Sequence, residues 1–125
     1  MSNYLKILGK KWEKVSMTSS FSNDVPNLPG VYLVVINNTF LGVPLNISVQ
    51  YVGRALKSLK SRFLSHNSEL RSHNRELLKI IRKEDKVEFW FQKLSASENE
   101  IKNIEKELIR GLKSYYSLSN KIVYN

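Results

Sequence analysis

One carboxylate stands where the sequence pattern predicts an apolar side chain. The predicted helix there has an apolar stripe formed by Ile101, Ile104, Leu108 and Leu112. Glu105 falls within that stripe, whereas Glu107 points to solvent. A carboxylate on the core side must be paired, protonated or bound to a metal ion, because burying it alone is costly. Glu105 is therefore a candidate metal ligand. The alternative is a rim glutamate paired with one of the many lysines.

Two further side chains are candidates for binding a phosphate. Leu59, Arg62 and His66 follow i, i+3, i+7 spacing, which puts Arg62 and His66 one turn apart on one face of a predicted helix. Together they could hold an anion, and the alternative is a coincidence of spacing. His73 lies near the apolar stripe of the next predicted helix, where it is either a nucleic-acid contact or a polar residue at the rim of the core.

Two tyrosines lie on predicted strands. Tyr32 and Tyr51 need no functional explanation by themselves, because tyrosine is a good strand former. Their neighbours are more informative: Gly30-Val31-Tyr32 occupies one strand, and Tyr51-Val52-Gly53 ends the next.

The elements that must position these residues follow from periodicity. Strands are predicted at about 31–36, 46–52 and 87–92, with a turn at Asn37-Asn38. Helices are predicted at about 55–65 and 68–83, and a third begins with a capping box at Ser97 and Glu100. A short amphipathic helix is expected within 4–12, and 16–29 is expected to be loop. The order predicts an α+β fold, a small three-stranded, mainly antiparallel sheet flanked by helices.

Length and charge set the class. A chain of 125 residues matches one domain, here residues 29–125 with an N-terminal extension, 1–28, packing on it. A formal net charge of +9 favours a polyanionic partner, most often nucleic acid. The absence of cysteine excludes disulfides and thiolate zinc sites. No apolar run is long enough for a membrane span, and no secretory signal is evident, so we expect a cytoplasmic protein without membrane contact.

The sequence resembles the GIY-YIG nuclease family. The two defining motifs match Gly30-Val31-Tyr32 and Tyr51-Val52-Gly53, with valine in place of isoleucine. Family members continue with a basic residue and a short helix that carries an essential arginine, which Arg54 and Arg62 match. The segment is especially similar to the incision subunit of bacterial nucleotide excision repair. Some members place a histidine one turn after the arginine, and His66 matches.

The later family motifs match the second half of the chain. The family's metal-binding glutamate corresponds to Glu105, and its closing asparagine corresponds to Asn120 or to Asn125. The resemblance covers about residues 28–120. Three spacings depart from the pattern: a longer gap between the tyrosines, which predicts an inserted loop at 39–47, one extra residue before Arg62, and a longer interval from Glu105 to Asn120.

The resemblance implies a metal-dependent DNA endonuclease. One divalent cation, Mg²⁺ or Mn²⁺, would bind Glu105, while Tyr32 would activate water with help from Tyr51 and His66. Arg62 would contact the phosphate, and Asn120 would orient the site. The expected products carry 5′-phosphate and 3′-hydroxyl ends. The expected contacts to duplex or branched DNA are Arg54, Lys57, Lys60 and His73, with further basic residues in 57–62 and 71–86.

The sequence alone leaves other interpretations open. The chain could be a catalytically silent basic nucleic-acid-binding module, or an interaction protein whose basic face meets an acidic partner. Among nucleases, the sequence does not separate restriction, repair and mobile-element enzymes. Target choice could come from the 39–47 segment, the N-terminal segment, a homodimer or a separate specificity partner.

Overall fold

The computed structural model describes residues 11–41, 43–67, 75–83 and 86–120. Within these ranges the strands are β1 (Glu13–Ser16), β2 (Gly30–Phe40), β3 (Val43–Ala55) and β4 (Val87–Lys93). The helices are α1 (Leu59–His66), α2 (Arg75–Lys83) and α3 (Glu98–Leu112), and a short 3₁₀ helix covers Ser19–Asp24. No helix in the described ranges is long and apolar enough to cross a membrane.

The strands form one antiparallel sheet in the order β1-β4-β2-β3. β2 lies inside the sheet, so Tyr32 is opposite Gly53 of β3 on one side and Phe91 of β4 on the other. The α+β class and the antiparallel sheet are confirmed. The predicted number of three strands is wrong, because β1 adds a fourth strand by pairing with β4. Its four residues, Glu-Lys-Val-Ser, have no apolar alternation because only Val15 is apolar.

Apolar layers cover both faces of the sheet. Val31, Leu33 and Val52 pack beneath α3, against Ile101 and Leu108. On the opposite face, Tyr32 and Val34 of β2 and Phe89 of β4 pack with Phe63 of α1 and Leu77 of α2. Because side chains alternate along a strand, neighbouring positions on β2 and β3 reach different helices. This arrangement lets β3 bring residues of both layers to one end of the strand.

The predicted inserted loop at 39–47 is wrong. β2 continues to Phe40 and β3 starts at Val43, so the segment forms the far end of a long hairpin. Asn38 pairs with Asn46 instead of turning, and Leu41 has a left-handed φ of 51° where the chain reverses. The Asn-Asn pair suggested a tight turn because asparagine tolerates turn conformations. In the fold both asparagines are extended, and a register shift follows at Asn38/Thr39.

The helix starts differ in part from the predictions. Ala55 ends β3, and α1 begins only at Leu59, with the Ser58 hydroxyl accepting from the Ser61 amide at 3.1 Å. The capping box at Ser97 and Glu100 is confirmed at the start of α3. Residues 68–74 of the predicted second helix, and residues 4–10 of the predicted N-terminal helix, lie outside the described ranges. The predicted domain boundary after residue 28 stays a prediction.

Candidate active site

Tyr32 occupies the centre of a closed aromatic cluster. Its side chain is almost fully buried on β2, and its ring lies 4.8 Å from the Phe89 ring of β4 in a stacked arrangement. The hydroxyl is 2.6 Å from Nε2 of His66. The cluster can hold this hydrogen bond in one geometry because packing restrains both rings.

Gly53 makes room for the Tyr32 ring. The two residues are directly paired across β2 and β3, and a Cβ atom on Gly53 would lie 2.1 Å from Cζ of Tyr32 and 2.4 Å from its hydroxyl. No side chain fits there unless the ring moves. The glycine that ends the second motif therefore serves the tyrosine of the first motif, which explains why the two short motifs belong together.

Tyr51 extends the cluster toward solvent. It is half-buried on β3, with its ring 6.2 Å from the Tyr32 ring and 5.2 Å from the His66 ring. The two tyrosines and the histidine are therefore brought together, although 19 and 34 residues separate Tyr51 and His66 from Tyr32 along the chain.

Helix α1 supplies His66 and Arg62, which differ in their surroundings. His66 lies on the buried face of the helix with Leu59 and Phe63. Arg62 is half-buried, and its Nε donates to the backbone oxygen of Arg54 at 3.2 Å. That bond fixes the base of the guanidinium and ties α1 to the end of β3.

Glu105 is buried and paired. As the helical periodicity indicated, it lies on the buried side of α3, where 10% of its side chain is exposed. Arg54 of β3 donates from a terminal nitrogen to Oε1 of Glu105 at 2.7 Å, and 35% of the Arg54 side chain is exposed. The sequence suggested Arg54 only as a phosphate contact. The structure also makes it the partner of the candidate metal ligand.

Asn120 fastens the chain after α3 to β3. Its side-chain oxygen accepts from the Val52 amide at 3.0 Å, and its side-chain nitrogen donates to the Val52 oxygen at 2.7 Å. The clamp lies next to Tyr51 in sequence. Asn125, the other candidate for the closing asparagine, lies outside the described residues.

The remaining nucleic-acid candidates are dispersed. Lys57 is exposed and lines an open groove of about 370 Å³ together with Arg54, Ser58 and Arg62. Lys60 donates to the side chain of Asn23 at 3.2 Å. His73 lies outside the described residues. The groove thus combines three basic side chains with the start of α1, a setting that favours an anion.

Burial and neighbouring charges shift the pKa values of the titratable groups. Burial raises the pKa of Tyr32 well above its usual value, nearby Tyr51 raises it further, and Arg62 lowers it. Burial also raises the pKa of Tyr51, as does the charge of Glu105. The pKa of Glu105 is raised by burial, and Arg54 offsets part of that effect. Forming a phenolate in this cluster therefore requires added positive charge.

Glu105 suits a cation whose other ligands come from phosphate and water. Among the described residues, no group of three or more His, Cys, Asp or Glu side chains could enclose a metal ion. Glu105 offers hard carboxylate oxygens, which suit Mg²⁺ or Mn²⁺ when phosphate and water complete the shell. Arg54 already balances the carboxylate charge, so the protein alone should hold a cation weakly.

Two features of this site had no clear signal in the sequence. The pairing of Arg54 with Glu105 joins residues 51 positions apart, and no periodicity reveals such a contact. Phe89 lies on a strand that the sequence predicts, but its stacking on Tyr32 depends on strand order, which the sequence does not reveal.

Comparison with known proteins gives one family. The model of the GIY-YIG catalytic domain matches residues 29–120, about three quarters of the chain. Comparisons with curated proteins and with solved structures gave no significant match.

Proposed function

Because the chain belongs to the GIY-YIG nuclease family, we propose that it is an endonuclease that hydrolyses DNA phosphodiester bonds with a divalent cation, Mg²⁺ or Mn²⁺. The observation that carries the proposal is the convergence of Tyr32, Arg62 and Glu105. These residues come from β2, α1 and α3, yet short contacts link them: His66 of α1 is hydrogen-bonded to Tyr32, Arg62 donates to the Arg54 backbone oxygen, and Arg54 donates to Glu105. The set contains a proton acceptor, a phosphate ligand and a metal ligand.

The hydrogen bond between Tyr32 and His66 suits proton transfer. At 2.6 Å it can join a phenol donating to Nε2, or a phenolate accepting from a protonated Nε2. One proton moving along the bond converts the first state into the second. Tyr32 as phenolate would then take a proton from the attacking water, which is general base catalysis. Arg62 favours this state because its charge lowers the pKa of Tyr32.

The two arginines would bind the scissile phosphate. Arg62 lines the groove, and its Nε is held by the Arg54 backbone oxygen, so a phosphate in the groove would bind its terminal nitrogens. Guanidinium groups bind phosphate oxygens in a forked geometry and stabilise the charge that builds up during displacement. Arg54 would exchange its bond to Glu105 for a bond to the incoming phosphate, which would release the carboxylate.

Glu105 would hold the cation, with phosphate and water oxygens as the other ligands. When bound, the cation supplies Lewis-acid stabilisation of the leaving oxygen. Asn120 would keep β3 in place beside Tyr51 through its two bonds to Val52. Lys57 and Lys60 would contact the flanking backbone.

Plasmid cleavage tests the proposal. Supercoiled plasmid would be incubated with Mg²⁺, with Mn²⁺ and with chelator, using wild type, Glu105→Gln and Glu107→Gln. Glu107 is a matched control because it lies on the same helix, outside the buried stripe. We expect metal-dependent nicking or linearisation by wild type and Glu107→Gln, and its loss in Glu105→Gln.

Two other outcomes would count against the proposal. DNA that is bound but stays intact in both metals would favour the silent binding module. Equal cleavage by Glu105→Gln and Glu107→Gln would show that Glu105 is not a catalytic residue.

A further inference from the structure

Four basic residues line one side of helix α3 and its C-cap. We propose that its basic flank, defined as Lys102, Lys106, Arg110 and Lys113, is a second binding surface for the phosphate backbone of DNA. The inference rests on the proposed function for the identity of the polyanion. It concerns a surface outside the groove and the catalytic residues.

Helical geometry puts these four residues on one side. Successive residues turn by about 100°, so positions 102, 106, 110 and 113 fall within an arc of about 80°. Lys102 and Arg110 are exposed, and Lys106 and Lys113 are half-exposed. Their separation along the helix reaches about 16 Å, which matches several successive phosphates of one strand.

Two acidic residues of α3 lie across the helix from the basic flank, while Glu98 stands one turn before Lys102. Glu100 and Glu107 are on the other flank, separated from the basic flank by the outer surface of the helix. A merely solvated helix usually mixes signs, because opposite charges four residues apart stabilise it. In α3, Glu98 stands four residues before Lys102, but Lys102, Lys106 and Arg110 then follow each other at four-residue intervals, which brings like charges together. A bound polyanion would relieve that repulsion.

The basic flank is on the same side of α3 as Glu105. By the same rotation, Glu105 lies between the middle of the buried stripe and Lys102. Arg54, one of the groove cations, bonds to the same carboxylate from β3. The catalytic carboxylate thus has basic side chains on both sides, so a strand bound in the groove can continue along α3. This continuity favours DNA over an acidic protein partner.

The test compares two double variants of equal charge. K102Q/R110Q removes the two exposed cations of the flank. K11Q/K93Q removes two exposed cations, one two residues before β1 and one at the end of β4. Both change the net charge from +9 to +7. Binding to a labelled duplex would be measured in chelator over roughly 50 to 200 mM salt, after circular dichroism has shown that both variants fold.

We expect the flank variant to lower the steepness of the log–log salt dependence by about 2, since each lost phosphate contact removes about 0.9. Its affinity at intermediate salt should fall on the order of 10-fold. The control should change the slope by less than about 1. Equal changes in both variants, or no change in the flank variant, would overturn the inference.

The result is separable from the fate of the proposed function. A protein that binds DNA through the flank but cuts nothing in either metal would keep this inference and contradict the nuclease. If the wild type cuts DNA but K102Q/R110Q has an unchanged salt slope, the nuclease stands and this inference is overturned. Absence of DNA binding by wild type would overturn the inference directly.

Discussion

The two halves of the site are built in different ways. The aromatic half, Tyr32, Tyr51, His66 and Phe89, is mostly buried and held by ring packing with one short hydrogen bond. The charged half, Arg54, Arg62 and Glu105, lies at the end of β3, where Arg54 is one-third exposed. In the aromatic half, the hydrogen bond between Tyr32 and His66 is already formed. The second half is arranged around an internal ion pair that substrate and cation would have to replace.

The aromatic half is therefore preorganised, whereas the charged half has to rearrange when it binds substrate and cation. Buried rings cannot shift without losing packing, so the aromatic half should be sensitive to volume. The charged half should be sensitive to charge, and its residues should respond to metal and DNA. Variants in the two halves should therefore fail in different measurements.

The largest effect should come from filling the space beneath Tyr32. Gly53→Ala places a Cβ 2.1 Å from a buried ring, so either Tyr32 moves away from His66 or the strands shift. We expect a loss of about 1–3 kcal/mol in the free energy of unfolding. Cleavage should fall about 100-fold or more, because the proposed base, Tyr32, is displaced. Urea unfolding and plasmid cleavage measure the two effects.

Gly30→Ala is the control for that variant. Its Cβ would meet the backbone oxygen of Gln92 at 2.0 Å, which strains the sheet without entering the Tyr32–His66 contact. If the two variants are equally unstable and equally active, the proposed link between Gly53 and Tyr32 is wrong.

Arg54→Gln should have opposite effects on binding and catalysis. Removing the guanidinium leaves the Glu105 carboxylate without the partner now at 2.7 Å, so Mn²⁺ should bind the DNA-free protein about 10-fold more tightly. Cleavage should drop about 100-fold, because a proposed phosphate ligand is lost. Mn²⁺ binding followed by electron paramagnetic resonance, with Lys93→Gln as an equal charge change, tests this. Unchanged Mn²⁺ affinity would mean that Arg54 does not compete with the cation.

Asn120→Asp should weaken the clamp on β3 while preserving its shape. An aspartate still accepts from the Val52 amide but cannot donate to the Val52 oxygen, and its charge faces that oxygen. We expect about 1–3 kcal/mol less stability, measured by urea unfolding at neutral pH. Stability equal to that of wild type would show that the Nδ2 bond contributes nothing.

The smallest effect concerns alkaline stability. Burial raises the pKa of Tyr32, so the folded chain holds this proton more tightly than the unfolded chain does. The stabilisation is complete below the unfolded value of about 10 and is lost as pH rises toward the folded pKa. Unfolding free energies should therefore decline above about pH 10, and less steeply in Tyr32→Phe. Parallel curves for both proteins would show that the Tyr32 hydroxyl does not cause the decline.

Local signals predicted the parts of the molecule that depend on local contacts. The capping box at Ser97 and the stripe around Glu105 were readable because both involve residues within one helix. Short motifs placed Tyr32 and Tyr51 on paired strands. The helix features depend on contacts between residues a few positions apart. The two tyrosines could be placed because their short motifs are distinctive as a pair.

Contacts between distant segments could not be predicted. β1 depends on pairing with β4, more than seventy residues later in the chain, and has too few apolar residues to show alternation. The sequence predicts a turn at Asn37-Asn38 and a loop after it. In the structure both asparagines lie inside β2, and the hairpin continues to Phe40. The Arg54–Glu105 pair could be predicted only by knowing which face of the sheet α3 covers.

A double-mutant cycle between the two halves tests the central claim most directly. Cleavage of one DNA duplex with Mg²⁺ would be measured under single-turnover conditions for wild type, Tyr32→Phe, Glu105→Gln and the double variant. If the two halves form one catalytic unit, each single variant should lose at least about 100-fold, and the double variant should be little slower than the slower single variant. Losses that multiply in the double variant, or a Tyr32→Phe protein that cuts at the wild-type rate, would contradict a single site across the end of β3.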